Sequence, residues 1–285
     1  TELSTLTLKF GQNVLAETNA YSLHIPAADS AKVAYMPSFV KDGLAEEAKG
    51  RGLDGWVVTL QYPSFGPFMR FSRERDLKEQ LWRAYNTRAY GGDNDNSETT
   101  KRIAEIRLDI ARLLGYETYA DYVLEERMAE NRPTVDNFLD ELLAPAKPWA
   151  EEDYETVKKY AATQPGAPAD FMPWDFNYYD EKYKSEKYDL NQELIKPYFQ
   201  LENVEKGTFM LATKLVGITF KENKAIDIYH PDVKAYEVYD GDGSFLAVLY
   251  MDYFPRESKR GGAWMTNFRE MWTEPDGTAV RPLVT

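Results

Sequence analysis

The stretch Ser97–Gly115 reads SETTKRIAEIRLDIARLLG, and its apolar residues fall on one helical face. Ile103, Ile106, Ile110, Leu113 and Leu114 recur at three- and four-residue steps, the spacing that lines one side of an α-helix. Asn96 or Ser97 supplies a capping oxygen, Glu98 places negative charge beside the free amides of the first turn, and Gly115 stops the run. A segment with its own start, stripe and stop predicts helix-on-helix packing around it.

Working outward toward the N-terminus, a helix is expected over Glu74 to about Tyr90, separated from the first by the polar loop Gly91 to Asn96. Before it, Trp56 to Leu60 is a short β-favouring run, ended by the turn-rich Pro63, Ser64, Phe65, Gly66 and Pro67. A helix covers Pro37 to Lys49, with proline in its first turn and Gly50 and Gly52 after it. From Leu3 to Thr18, Leu3, Leu6, Phe10, Val14 and Leu15 repeat the amphipathic spacing.

Toward the C-terminus a helix is expected from Tyr119 to Glu130, and a long one from Val135 toward Ala162, bent or interrupted at Pro145 and Pro148, which lack an amide donor. The linker Gln164 to Ala169 is the expected boundary between a helical lobe, 1–163, and the start of a second lobe, 170–285. That second part opens on an aromatic- and charge-rich segment, Trp174 to Tyr188, continues through a helix over Glu205 to Leu215, and contains a β-hairpin between 235 and 253 around Asp240-Gly241-Asp242-Gly243. The fold class is mainly α, with a small antiparallel sheet near the C-terminal end.

The 285 residues are 43% apolar and 14% aromatic, enough to bury a substantial core. Lys and Arg number 34 against 47 Asp and Glu, a net charge of −13. Such a surface repels phosphate backbones, so neither nucleic acid nor an anionic membrane is an expected partner. No run approaches the roughly 18 apolar residues of a membrane-spanning helix. The absence of cysteine removes thiol chemistry and leaves the compartment open; a cytoplasmic location is favoured, and a periplasmic one is compatible. The chain begins without an initiator Met and closes on a strand-like run, Val280 to Thr285, so both ends read as cuts in a longer polypeptide.

Familiar catalytic motifs are missing. The two histidines, His24 and His230, are too far apart to sit one helical turn from each other as zinc ligands do. No Gly-x-Ser-x-Gly elbow, phosphate-binding loop or dinucleotide fingerprint occurs. Asp240 and Asp242 have the first spacings of a calcium loop, but Phe245 and Met251 stand where glycine and glutamate are needed, so a hairpin turn accounts for them. Asp93 and Asp95 read as a capping loop. Asp175 and Asp180, beside Trp174, Tyr178 and Tyr179, could line a sugar cleft, but an aromatic segment packed between layers is the favoured reading. Arg256, Glu257, Lys259 and Arg260 read as a solvated charged turn, or as part of a substrate channel.

Several segments together resemble one family. They are Leu8-Lys9-Phe10-Gly11-Gln12-Asn13-Val14-Leu15; Leu114-Gly115-Tyr116 with Tyr119-Ala120 and Met128-Ala129; Pro173-Trp174-Asp175 with Tyr178-Tyr179; Lys196-Pro197-Tyr198-Phe199; Tyr229-His230-Pro231-Asp232-Val233; and Asp252-Tyr253-Phe254-Pro255-Arg256-Glu257 followed by Lys259 to Met265. In this order they are similar to the thimet oligopeptidase family of zinc metallopeptidases. Gly261-Gly262-Ala263-Trp264-Met265 resembles the bacterial oligopeptidase and peptidyl-dipeptidase branches, the latter slightly more.

The resemblance implies the helical scaffold of a neurolysin-like peptidase that cleaves short peptides, releasing C-terminal dipeptides if the peptidyl-dipeptidase branch is the right one. One zinc ion, held by a His-Glu-x-x-His helix and a downstream Glu, is implied for the parent protein. None of those groups stands in this sequence, so the carry-over yields no catalytic and no metal position. Trp174, Asp175, Tyr178, Tyr179 and Arg256 remain as expected support of the substrate channel. The chain alone is then inactive, lacking a C-terminal catalytic half, and self-associates through the apolar surface that half would cover. The alternative is a non-catalytic helical module that binds peptides or partners.

Overall fold

The computed structural model describes residues 1–189 and 192–285, and the chain forms two compact units, Thr1–Leu190 and Asn191–Thr285. In the first unit, α1 (Glu2–Ala20) is followed by β1 (Ser22–Ile25), α2 (Ser38–Gly50), β2 (Trp56–Thr59), α3 (Tyr62–Phe71) and α4 (Arg75–Asn86). Then come α5 (Ser97–Leu113), α6 (Tyr119–Leu124), α7 (Arg132–Ala162) and α8 (Pro173–Tyr188). β1 and β2 pair antiparallel, with Ser22 opposite Thr59 and Ile25 opposite Trp56.

The core of this unit forms where helix and strand periodicities meet. Val40 and Leu44, four residues apart on α2, are buried together with Val58 of β2 and with Ile25, Val33, Met36 and Leu60, and Ala48 and Val57 are buried as well. Phe65, Phe68 and Met69 of α3, Leu81 of α4 and Trp174 of α8 complete the main cluster. A smaller one gathers Val157 and Ala161 of α7 around Tyr179 of α8. Asn96 joins α1 to α5: its amide donates to the Phe10 carbonyl at 3.0 Å and its oxygen accepts from Asn13 at 2.9 Å.

The structure departs from five expectations. The Pro63–Pro67 turn is instead part of α3, because Pro63 sits in the first turn, where no amide is needed, and burial of Phe65, Phe68 and Met69 offsets the one bond lost at Pro67. The helix expected to reach Glu130 ends at Leu124; Glu130, at φ 63°, turns the chain so that the Asn131 side chain can accept from Thr134 at the start of α7. That helix runs unbroken through Pro145 and Pro148. On α5, Ile103, Ile106 and Ile110 are half-buried as expected, but Leu113 and Leu114 are exposed. The linker at Gln164–Ala169 lies inside the first unit, since α8 packs on α3, α4 and α7.

The second unit contains α9 (Gln192–Ile195), α10 (Leu201–Val216) and a five-stranded sheet of order β3-β4-β5-β9-β6. Its strands are β3 (Thr219–Glu222), β4 (Lys234–Tyr239), β5 (Phe245–Met251), β6 (Asn267–Arg269) and β9 (Leu283–Val284), while β7 (Trp272–Thr273) and β8 (Ala279–Val280) pair separately. The expected hairpin is β4–β5, with an irregularity between Val238 and Tyr239. The sheet is antiparallel except that β9 lies parallel to β5. Phe209 of α10 stacks on Phe220 of β3, ring centroids 4.1 Å apart, and its edge meets Tyr236 of β4.

One glycine in the first unit has no substitute. Gly55 has φ 74°, and a Cβ there would lie 2.2 Å from the Ile25 carbonyl oxygen and 2.7 Å from the Ala27 nitrogen. Gly52 also has positive φ, at 69°, but open space around it. Gly55→Ala should therefore destabilise the chain by more than about 2 kcal/mol, and Gly52→Ala by about 1 kcal/mol, in urea melts; equal losses would show that the backbone contact is not limiting.

Candidate functional site

Four of the five residues singled out in the sequence lie on α8, and the structure brings them together as packing. Pro173 sits in the first turn of α8, and the Asp175 carboxylate reaches back to accept the Met172 amide at 2.9 Å. Asp175 is only 1% exposed. Its other partner is Arg75 at the start of α4, whose Nε donates to Oδ1 at 2.9 Å and whose Nη2 donates to Oδ2 at 3.0 Å. The same guanidinium donates to the Asp170 carbonyl at 2.8 Å. This charge-assisted fork ties α4 to α8 and raises the Arg75 pKa through its bonds to Asp175.

Trp174 is buried in the main core, edge-on to Trp82 at 5.7 Å, with the Arg83 guanidinium 5.1 Å from its ring. Tyr179 is buried in the smaller core, and Tyr178 is half-buried. One turn after Arg75, Lys78 is 2% exposed, its ammonium 4.4 Å from the Tyr178 ring centroid. Burial lowers the Lys78 pKa to about 8, and the nearby Asp175 charge only partly opposes this. Asp180 is paired with Lys184 at 2.7 Å. The sugar-cleft reading thus fails: one acid is sealed and doubly bonded, the other neutralised on the surface.

Arg256 belongs to the second unit and is not a solvated charge. Its two terminal nitrogens fork onto Asp252 at 2.9 and 2.8 Å, and Lys259 lies 3.1 Å from the same carboxylate. The Asp252 side chain is 5% exposed. Tyr229 donates to it at 3.1 Å, and Arg256, Lys259 and Tyr229 together hold its pKa well below the usual carboxylate range. A second buried carboxylate, Glu205 of α10, accepts from Lys234 at 3.2 Å, from the Tyr236 hydroxyl, and from Tyr253 at 3.4 Å. Burial and Glu205 push the Tyr253 phenol up to about 12.

The carboxylates among these groups are all engaged with cations, amides or phenols. His24 Nε2 lies 2.7 Å from the Asp54 carbonyl, and His230 Nδ1 accepts the Asp232 amide at 3.3 Å. Among the described residues no set of three His, Asp or Glu side chains could hold a metal ion, and each imidazole has a partner of its own, His24 across to Asp54 and His230 in a local turn. The residues present do not fit the zinc that the family resemblance implies. Asp240 and Asp242 cap the hairpin turn, accepting from Gly241 at 2.7 Å and Ser244 at 2.8 Å. Asp95 accepts from Ser97 at the head of α5.

Sequence reasoning missed Arg75, Lys78 and Glu205. Arg75 and Asp175 are 100 positions apart, and no local pattern links them. The Asp252–Arg256 pair did leave a signal, the i, i+4 spacing of opposite charges.

Residues 68–283 match the model of Peptidase family M3. The chain is 35% identical to oligopeptidase A of Escherichia coli over 99% of its own length and 42% of that protein. It is 37% identical to the dipeptidyl carboxypeptidase of Escherichia coli, over 96% of the chain and 40% of that protein. To saccharolysin of Saccharomyces cerevisiae it is 30% identical, over 73% of the chain and 30% of that protein. The chain spans about two fifths of the length of the bacterial relatives it matches.

Two outcomes follow from the α4–α8 geometry. Arg75→Met leaves a buried carboxylate without its cation and should cost roughly 3 kcal/mol, much of it recovered when Asp175→Asn is added; additive losses in urea melts would deny the coupling. Because the Lys78 pKa is lowered on folding, the unfolded chain binds more protons above about pH 8, and stability gains with rising pH. Relative to Lys78→Met, the wild type should gain about 2 kcal/mol between about pH 7 and pH 9.5, below the range where tyrosines ionise; parallel pH profiles would refute the shift.

Proposed function

The chain belongs to peptidase family M3, and from that premise we propose that it is a scaffold region of a metallopeptidase that hydrolyses short peptides and that it has no hydrolytic activity by itself. The observation that carries the reading is the contrast between whole-chain similarity to peptidases and a set of polar side chains wholly engaged in holding helices and strands together. The catalytic metal and its ligands are then supplied by polypeptide outside these 285 residues.

Release of C-terminal dipeptides is the preferred specificity of the parent. It is supported by the Gly261-Gly262-Ala263-Trp264-Met265 segment and by the similarity to a dipeptidyl carboxypeptidase. An oligopeptidase specificity is the competing reading, supported by the similarity to oligopeptidase A. Within the parent, the α8 aromatics and the Arg256 turn act on the channel indirectly, by setting the shape of its walls. A cytoplasmic location completes the proposal.

Zinc content and turnover of a quenched fluorescent oligopeptide test this directly. The 285-residue chain should contain no stoichiometric zinc and show no chelator-sensitive turnover. A chimera in which it replaces the aligned segment of Escherichia coli oligopeptidase A should show both. Zinc-dependent turnover by the chain alone would overturn the scaffold reading; a folded chimera that binds zinc but cleaves no peptide would overturn the peptidase reading.

A further inference from the structure

Most of α7 has no packing partner among the described residues. Every residue from Asp136 to Tyr154 is exposed, a length of about 28 Å at the rise of an α-helix. Only the last turns of α7, through Val157 and Ala161, are buried. The exposed part is not a polar helix. From half-buried Val135, the exposed Phe138, Leu142 and Trp149 follow at steps of three, four and seven, and Leu139 and Leu143 widen the stripe. Phe138 and Leu143 are each 58% exposed and Trp149 68%. Single apolar side chains on a surface are ordinary, but a stripe about four turns long is what a helix presents to another helix.

Two further features describe what fits there. Pro145 and Pro148 lack amide hydrogens, so the carbonyls of Glu141 and Ala144 lose their usual donors four residues on. A shallow groove on this stretch is lined by Asp140, Leu143, Ala144, Lys147, Pro148 and Glu151. The charge along the helix is one-sided. Asp136, Asp140, Glu141, Glu151, Glu152 and Asp153 outnumber Arg132 and Lys147, and both cations are already in i, i+4 pairs with Asp136 and Glu151. A second copy of this helix would bring like charge against like. A helix carrying Lys or Arg beside its apolar stripe would neutralise the excess and donate to the freed carbonyls.

We propose that residues 135–154 of α7 are a docking surface for a basic amphipathic helix, packed apolar stripe to apolar stripe, that belongs to the part of the full-length peptidase outside these 285 residues. The choice of source rests on the family reading above. Oligopeptidase A carries more than half of its polypeptide beyond the region this chain matches.

Hydrogen exchange tests this without reference to activity. In the oligopeptidase A chimera, amides from Phe138 to Trp149 should exchange at least about tenfold more slowly than in the 285-residue chain. Equal exchange in a chimera that melts cooperatively would overturn the proposal. Independently, the 285-residue chain is titrated with a synthetic helix bearing a leucine stripe flanked by lysines, and with its glutamate-flanked counterpart. The lysine form should protect α7 and the glutamate form should bind at least about tenfold more weakly, with Leu142→Asp abolishing both. Equal binding of the two, indifference to Leu142→Asp, or a dimer that this substitution dissociates would each refute the basic-helix assignment, the last in favour of a second copy. A chimera that hydrolyses peptides while α7 stays unprotected sinks the docking surface alone; protection without hydrolysis sinks the activity reading alone.

Discussion

A carboxylate cut off from water must have a cation and amide donors within reach, and in the first unit Asp175 meets that requirement with Arg75 and its own helix start. The geometry leaves little freedom. For the fork to close, the first turn of α4 has to face the first turn of α8, which also sets Trp174 against Trp82 and Lys78 against Tyr178. An apolar contact at this point would tolerate sliding, whereas a bidentate pair fixes both angle and register. The two clusters of the unit, one around Phe68 and Leu81 and one around Val157 and Tyr179, both contain residues of α8.

The second unit applies the same physics with different parts. Glu205 is surrounded by a lysine and two phenols from the sheet and its following loop, and Asp252 by an arginine, a lysine and a phenol. Each buried charge joins segments that hydrophobic burial alone would hold loosely. Tyr236 and Tyr253 stay protonated because ionisation would put two negative charges side by side in a dehydrated setting. Asp252 and the two phenols are perturbed for structural reasons, so a shifted pKa in this chain does not mark a catalytic group.

That distinction shapes the functional reading. A peptidase site needs an activated water or nucleophile and a base free to take a proton. Here His24 is held against the Asp54 carbonyl and His230 within its own turn, and the buried acids accept from several donors each. The similarity to M3 peptidases runs along nearly the whole chain, and on the scaffold proposal above it is similarity of framework.

The sequence by itself determined what depends on neighbours a few residues apart. The Ile103–Ile110 stripe, the helix start near Tyr119 and the turn at Asp240 to Gly243 each carry their own geometry, and they emerged as helices and a hairpin. The ordered motifs from Leu8 to Met265 were likewise enough to identify the family. Tertiary structure alone decided the rest. Whether Pro63 to Pro67 turned or coiled depended on the core waiting for Phe65, Phe68 and Met69. Whether Asp175 was a catalytic acid or an anchor depended on Arg75, brought from 100 positions away. Charges and apolar side chains act on whatever folding places beside them, and only the folded chain sets those distances.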